Sequence, residues 1–399
     1  MYLGFITPNT FLVVENGVRL RELLFKQNSV IELFENFNVF SDAVVEPINS
    51  IIQKKPSKNN IFKVILESRE KDKTEKRFFS HDYVLSKNKL IFNYRETDLE
   101  KKLYEKIDSN SLILSNYAKV TTGIKPYQTG KGNPKQTKEI VKTKPFTGFK
   151  QEEGFSPLIR GTQTTRYSLH WDGEYIKYGE WLAEPRKSKI FFEEKLFIRR
   201  TDDKLLCVYD NQKYIGVNSI HCIQSFDENI KNKYLLCLLN STLINWFFQH
   251  ENFHMIGKPL AEVKVIFVSR LPIKITNSAN QYIFIEKANI MLDLNKSFQT
   301  KQKKFLNRIS TNFYIEKLSK KLEAFYEHDF NTLLKELKKK KVTLTLMQQD
   351  EWEEYFEAYQ KELLDLKRKI DDTDKEIDKM VYELYRLNDD EVALVEGKV

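Results

Sequence analysis

The chain has 399 residues, 41% of them apolar and 30% charged, with 13 glycines and 10 prolines. That length allows about two or three domains with buried cores, and the composition excludes collagen-like and low-complexity chains. The net charge is +9 and it is localised: residues 100–275 hold 28 basic and 19 acidic side chains, and the rest of the chain 37 of each. Such an excess is the footprint of a polyanion partner, or simply of a soluble lysine-rich protein. No apolar run approaches the ~18 residues of a membrane span. The N-terminus, MYLGFITPNTFLVVENG, lacks a basic leader and meets Pro8 and Asn9 early, so neither a membrane partner nor a signal peptide is expected. Cys207, Cys222 and Cys237 are too few and too far apart for a disulfide framework or a CxxC metal site, which makes a reducing cytoplasm the expectation.

Residues 1–100 alternate strand and helix signals. YLGFIT is an apolar run stopped by Pro8. GVRLRELLFKQ carries Val18, Leu20, Leu23, Leu24 and Phe25 and predicts an amphipathic helix. SVIELFENF, VEPINSIIQKK and, after a PSKNN turn, FKVILESRE read as strands. This is α/β material with too few strands for a complete doubly wound sheet. LEKKLYEKID predicts a helix. TTGIKPYQTGKGNPKQTK, with Gly123, Pro126, Gly130, Gly132 and Pro134, predicts a loop. Residues 155–275 give short strands, among them KLFIRRT, LLCVYD and IHCIQSF, and one helix, KYLLCLLNSTLINWFFQH. That is a mixed α+β domain.

From 280 onward the chain reads as helical, without Gly or Pro before Gly397. Its last helix places Trp352, Phe356, Tyr359, Leu363, Leu366, Ile370, Ile377, Met380, Leu384 and Leu387 in steps of four and three, broken only by Thr373. Five heptads make a helix of roughly 50 Å. It is either a spacer or dimer rod or, as the preferred reading, one arm of an intrachain hairpin.

Three motifs bear on chemistry. HENFH, His250 to His254, fits the zinc-hydrolase pattern HExxH, in which one helix sets two imidazoles a turn apart. The third ligand of the longer form is missing, since Leu260 stands where a histidine is needed. Glu193-Glu194-Lys195 with Asp172 upstream is a weak nuclease pattern, and a solvated turn accounts for it better. No phosphate-binding loop, GxGxxG or serine nucleophile elbow is present. The basic segment is more informative. It interleaves Lys125, Tyr127, Gln128 and Lys131 on the Gly-rich loop with Arg160, Gln163 and Arg166 in LIRGTQTTRY, Arg186 and Lys187 in EPRKSK, and Arg199-Arg200 in FIRRT. Arginine and glutamine can pair bidentately with guanine and adenine, and lysine holds phosphates.

The order of KYGEWLAEPRKSKIFFEEKLFIRRT, GVNSIHCIQS, YLLCLLNSTLINWFF and SRLPI resembles the TaqI-like C-terminal specificity domain, the target-recognition part of type II restriction–modification N6-adenine DNA methyltransferases. LIRGTQTTRY resembles the Arg-Gly step that opens this domain. IDKMVYELYRLNDDEVALVE resembles the way such proteins end. YLGFITPNTFL, RLRELLF and VIELFENFNVFSDAVVEPINSII resemble the closing strands of the family's methyltransferase domain. The Gly-rich S-adenosylmethionine turn and the Asn-Pro-Pro-Tyr motif of that domain occur nowhere in the chain, and Asn133-Pro134 runs on as Lys135-Gln136. No catalytic, cofactor or metal residue is therefore assigned.

The resulting expectation is an α+β chain in three parts: residues 1–100, the C-terminal part of a Rossmann-like methyltransferase sheet; 101–278, a DNA target-recognition domain; and 279–399, a helical tail. Its expected partners are double-stranded DNA and a methyltransferase catalytic half on another chain, with S-adenosylmethionine implied for the complete enzyme and not bound by this chain alone. The expected DNA contacts are Lys125, Tyr127, Lys131, Arg160, Gln163, Arg166, Arg186, Lys187, Arg199 and Arg200. Asn240 and Ser241 are expected to pack or cap a helix, and Trp246 and Phe247 to lie in the core. Half a sheet would leave Phe5, Ile6, Phe11, Leu23, Ile31 and Phe34 without part of their cover. Other readings are a non-enzymatic specificity subunit resembling those of type I systems, an inactive fragment and, last, a zinc hydrolase.

Overall fold

The computed structural model describes residues 1–36, 47–55, 61–67, 74–257 and 261–398. The PSKNN turn and the stretch NVFSDAVVE of the second and third strand signals lie outside the described residues. The chain is mixed α+β and divides into two units, Met1–Lys106 with Asn252–Ile256, and Ile107–Glu251 with Gly257–Val399. No helix is long and apolar enough to cross a membrane among the described residues.

In the first unit the apolar runs form β1 (Tyr2–Pro8), β2 (Ser29–Glu35), β3 (Pro47–Gln53) and β4 (Ile61–Glu67), joined by β5 (Thr74–Ser80), a strand the sequence reading did not assign. They order as β1-β3-β2-β4-β5. Only β2–β4 is parallel, whereas a doubly wound sheet is mostly parallel. Helices α1 (Val18–Phe25) and α2 (His81–Ser86) bury Leu24, Phe25 and Val84 in one core with Leu33, Phe62, Val64 and Phe92. α1 also buries Arg21, whose guanidinium donates to the carbonyls of Val14 (2.8 Å) and Lys89 (2.9 Å). Phe5, Ile6 and Leu23 are exposed, and Phe11, Ile31 and Phe34 half-buried. Helix α3 (Asp98–Ser109) follows the sheet.

The second unit opens with β6 (Leu112–Ile113) and β7 (Ala118–Thr122). Next come α4 (Lys138–Thr143), β8 (Thr147–Gly148), β9 (Phe155–Ile159), β10 (Thr164–Thr165), β11 (Ser168–Leu169) and β12 (Tyr175–Lys177). Then follow α5 (Lys189–Phe192), β13 (Lys195–Arg199), β14 (Cys207–Asp210), β15 (Ile215–Gly216) and β16 (Ile220–Ser225). Two four-stranded sheets, β15-β9-β12-β8 and β14-β13-β16-β7, enclose a core that includes Leu158, Ile176, Phe191, Phe197 and Cys222.

The expected single helix over KYLLCLLNSTLINWFFQH is two, α6 (Asn232–Asn240) and α7 (Thr242–Glu251). Ser241 takes extended backbone between them, and its hydroxyl accepts the Ile244 N–H at 3.3 Å to cap α7. Asn240 brackets Cys207, accepting its N–H at 3.0 Å and donating to its carbonyl at 2.9 Å. Both are packing and capping residues, and Phe247 is core.

After α8 (Val265–Ser269) and β17 (Pro272–Ile273) come α9 (Ser278–Phe313), α10 (Lys320–Glu323), α11 (Phe330–Lys339), α12 (Leu346–Tyr385) and α13 (Asp389–Val395). α9 and α12 form an antiparallel intrachain hairpin, as the ion pairs Lys287–Glu376 and Lys301–Glu362 require. α12 buries Phe356, Leu363, Thr373 and Ile377, and then Val381 and Tyr385 in place of the heptad's Met380 and Leu384. A straight helix drifts about 20° per heptad against a 3.5 repeat, so the buried face leaves the seam at one end. Thr373 is tolerated there because its hydroxyl donates to the Lys369 carbonyl at 2.8 Å. The foot of the hairpin is tied to the sheets. Tyr385 donates to the Pro272 carbonyl (2.8 Å), and Asp378 accepts the Thr242 N–H (2.8 Å).

Candidate nucleic-acid interface

The Gly-rich loop is a rigid object. Gln136, buried beneath it, accepts the Gln128 N–H at 2.9 Å and donates to the carbonyls of Pro126 and Trp181, both at 2.8 Å. Lys125 and Glu184 exchange backbone hydrogen bonds at 3.0 and 2.9 Å, and the Asn133 N–H donates to the Glu180 carbonyl at 2.9 Å. Gly132 has φ +88°, and a Cβ there would lie 2.5 Å from the Trp181 carbonyl oxygen, so only glycine allows this approach. Beneath the loop Tyr127 stacks on Phe146, ring centroids 5.7 Å apart, and its hydroxyl accepts the Phe146 N–H at 2.7 Å. The segments 125–147 and 180–187 are thereby held as one surface.

That surface is strongly basic. Residues 125–150 contain seven lysines and one acidic side chain, and 180–187 adds Arg186 and Lys187 against Glu180 and Glu184. Lys131, Lys135, Lys138, Lys142, Lys144 and Lys187 are exposed, and among the described residues none meets a carboxylate. Lys125 donates at 2.8 Å to the neutral Gln128 amide, so its charge is also uncompensated.

The expected arginine contacts are placed differently. Arg160 lies half-buried at the turn after β9 and forks onto Glu174 at 2.7 and 2.6 Å. Gln163 is buried, accepting the Arg160 N–H at 2.6 Å, so it shapes the Arg-Gly turn. Arg166 donates to the Asn240 carbonyl at 3.0 Å and pairs with Asp374 of α12. Burial works against its charge, but Tyr167, Asp374 and Asp378 outweigh that and raise its pKa. Arg200 holds Glu262 at 2.8 Å and the Asn218 carbonyl at 3.0 Å. Arg199 faces Asp202 at 3.9 Å. Arg186, in left-handed backbone, donates to the Thr122 carbonyl (3.1 Å) and pairs with Glu184 (2.7 Å). A guanidinium already forked onto a carboxylate must give that up before it can read guanine. The structure thus brings Lys125, Lys131, Arg186 and Lys187 together on one surface, sets Tyr127 beneath it as a support, and leaves Arg160, Arg166 and Arg200 as internal ties.

The other motifs change under the geometry. The helix that HExxH needs ends at Glu251, and Phe253–Met255 is a separate 3-10 turn. His250 stacks on Trp246 at 4.9 Å. Lys195 of the nuclease-like triplet is fully buried and paired with Asp210, whose carboxylate also accepts the Gln212 N–H at 2.8 Å. Burial raises the Asp210 pKa while Lys195 pulls it back. No group of three or more His, Cys, Asp or Glu side chains that could hold a metal occurs among the described residues. Sequence reasoning missed Gln136 and the lysines at 135–150. The lysine density was countable in the sequence, but the buried glutamine carried no signal.

With this geometry in place, residues 156–273 match the TaqI-like C-terminal specificity domain. The chain therefore contains the DNA-recognition type of domain found in restriction–modification enzymes. Residues 277–381 match a domain of unknown function, DUF8810. A curated relative from Methanocaldococcus jannaschii, RM.MjaORFECS2P, provisionally described as a type II restriction enzyme and methyltransferase, is 24% identical over 319 residues. The match covers 77% of this chain and 26% of that protein, so the chain spans about a quarter of the relative's length. Among solved structures, the type IIL restriction–modification enzyme MmeI in complex with DNA is similar at a TM-score of 0.40 and 14% identity, covering 74% of this chain and 42% of that one. The type IIG restriction endonuclease BpuSI gives 0.33 and 12%, covering 72% and 42%. These two likenesses are too loose to carry a functional argument.

Proposed function

We propose that this chain reads the DNA target of a type II restriction–modification system that methylates adenine at N6. The observation that carries the proposal is the specificity-domain match over 156–273 beside a rigid loop surface whose lysines meet no carboxylate. In this reading DNA phosphates lie on Lys125, Lys131, Lys187 and the lysines from 135 to 150, with Arg186 and Arg199 at the margin. A target adenine must leave the stack to react, and this domain grips and orients the duplex while it does so. The first unit is read as the closing part of a methyltransferase sheet, completed by a catalytic half on another chain, with its exposed Phe5, Ile6 and Leu23 awaiting that cover.

S-adenosylmethionine supplies the methyl group in such systems. The residues of the first unit do not fit it. Its two glycines are Gly4, inside β1, and Gly17, where a Cβ would meet the Phe11 carbonyl oxygen at 2.5 Å, so neither forms an open cradle. No catalytic step is assigned to this chain.

The test is selection by the full chain from a pool of random duplexes. One enriched motif containing an adenine is expected, and uniform recovery at every salt concentration would remove the proposal. On the enriched duplex, tritiated methyl transfer to N6 is expected only with the partner co-purified from the native host.

A further inference from the structure

The tail carries a second basic site that the charge total conceals. Residues 276–345 hold 14 basic and 7 acidic side chains, and 346–399 hold 8 and 17, so the two arms of the hairpin nearly cancel. Along α9 two of the five lysines are used internally, Lys287 on Glu376 and Lys301 on Glu362, while Lys296, Lys303 and Lys304 are spread along the exposed face. On α10 and α11 the lysines gather around one concavity instead. Lys321, Lys335 and Lys338 are exposed around one concave surface of about 500 Å³ and, among the described residues, form no ion pair, although Lys321 acts on Glu336 and Lys335 on Asp329 through space. Only Lys339 there is neutralised, by Glu336 at 2.6 Å, and Glu336 also accepts from Ser319 at 2.7 Å. Hydrogen bonds from Lys339 and Ser319 hold the Glu336 pKa below the ordinary value, so that single carboxylate stays charged and committed. Lys340 and Lys341 follow directly, both exposed.

The platform beneath is firm. Leu322, Phe325, Phe330, Leu333 and Leu337 pack with Phe305 and Phe356, and Phe305 stacks on Phe325 with ring centroids 3.7 Å apart. The arm that carries it is anchored on the specificity domain, where Gln281 donates to the Asn229 carbonyl at 2.8 Å and Phe284 packs edge-on against Tyr234. From Gln281 to Phe305 the helix rises about 36 Å, the length of roughly ten base pairs of duplex.

We infer that the α10–α11 lysine cluster is a second DNA-backbone site, which holds phosphates outside the sequence read by the specificity domain. The inference rests on the DNA-reading role proposed above. A solvated lysine face accounts for exposure, but not for three lysines without an ion pair gathered around one concavity, where α9 spreads its unpaired lysines along its length. An acidic protein would meet the same charges. DNA is favoured because the platform stands on the specificity domain itself, within reach of a duplex that extends past it.

The test compares the full chain with its K321Q/K335Q/K338Q variant on random-sequence duplexes of about 12 and about 40 base pairs, across a salt series. All three side chains are exposed and glutamine keeps the stem, so the melting temperature should be unchanged. The wild-type plot of log affinity against log salt should be steeper on the long duplex, and the variant should lose that difference, by about 0.9 for each phosphate it no longer neutralises. A variant equal to wild type on the long duplex would overturn the tail site alone. A wild-type chain that binds neither duplex would overturn the DNA reading with it. Binding of a poly-glutamate peptide that is lost in the variant while DNA binding is unchanged would reassign the cluster to a protein partner.

Discussion

The loop surface around residues 125–150 and the arginine-bearing turns at 160–166 and 200 belong to one basic segment and do opposite work. In the loop, seven lysines stand against one acidic residue, and the exposed ones remain solvated. In the turns, each arginine has a carboxylate on another element: Glu174 for Arg160, Asp374 for Arg166, Glu262 for Arg200. Charge is left open to a partner where the fold supplies no counter-ion and serves the fold where it does. Arginine suits the second role because its planar fork bonds a carboxylate twice, whereas lysine is a mobile point charge suited to phosphate.

The largest effect that sharpens this contrast is expected at Arg166. Arg166→Ala leaves the Asp374 carboxylate and the Asn240 carbonyl without their charged donor. It should cost about 2–3 kcal/mol of stability, read as a lower denaturant midpoint, while the salt slope of DNA binding stays that of the wild type. A shallower slope at unchanged stability would break the comparison. Next is Gln136→Ala, which removes three hydrogen bonds under the loop. About 1–3 kcal/mol is expected. DNA affinity should fall with it, because the lysines lose a fixed frame, and hydrogen exchange should rise in 126–136.

These residues also show how far the sequence could be read. Period and turn chemistry are local, so β1 to β4, α1, the loop and α12 were legible from spacing alone. The order of motifs led to the specificity domain. What was not legible is pairing across distance. Asp374 lies 208 residues from Arg166 and Glu262 lies 62 from Arg200, and nothing in LIRGTQTTRY or FIRRT says that a carboxylate will arrive. The break at Ser241 was missed for a related reason. LLNST is apolar enough to continue a helix, and the groups that meet it at the break come from afar: the Cys207 backbone on the Asn240 side chain, Arg166 on the Asn240 carbonyl and Asp378 on the Thr242 N–H. Segment charge failed in the tail because a basic arm and an acidic arm sum to almost nothing.

A smaller effect is expected at the loop lysines. Lys131→Gln with Lys187→Gln should leave melting unchanged and make the salt dependence shallower by about 0.9 for each phosphate left without its lysine, measured by fluorescence anisotropy. Unchanged binding would place DNA elsewhere and erase the difference between the two regions.

The smallest effect tests whether Arg200 acts inward. It faces His221, which is buried, bonds the Val263 carbonyl at 2.6 Å through Nε2 and sits 3.1 Å from the Thr122 hydroxyl. Burial lowers the His221 pKa, and Arg200 adds to this against the opposing Val263 carbonyl and Glu262. The folded state therefore prefers the neutral ring, while the unfolded chain takes its proton at the ordinary value of 6.5. The stability from this group is complete above 6.5 and is lost as the pH falls toward the folded pKa. His81 and His170 are lowered by burial too and tilt the same way. Arg200→Met removes the positive neighbour and leaves Glu262 beside the ring, so the folded pKa should rise and the acid loss shrink. Denaturant titrations at several pH values between 5 and 7.5 should show a flatter dependence in the variant and an unchanged salt slope for DNA. A pH dependence identical to wild type together with a shallower salt slope would mean that Arg200 faces the duplex and belongs with the lysines.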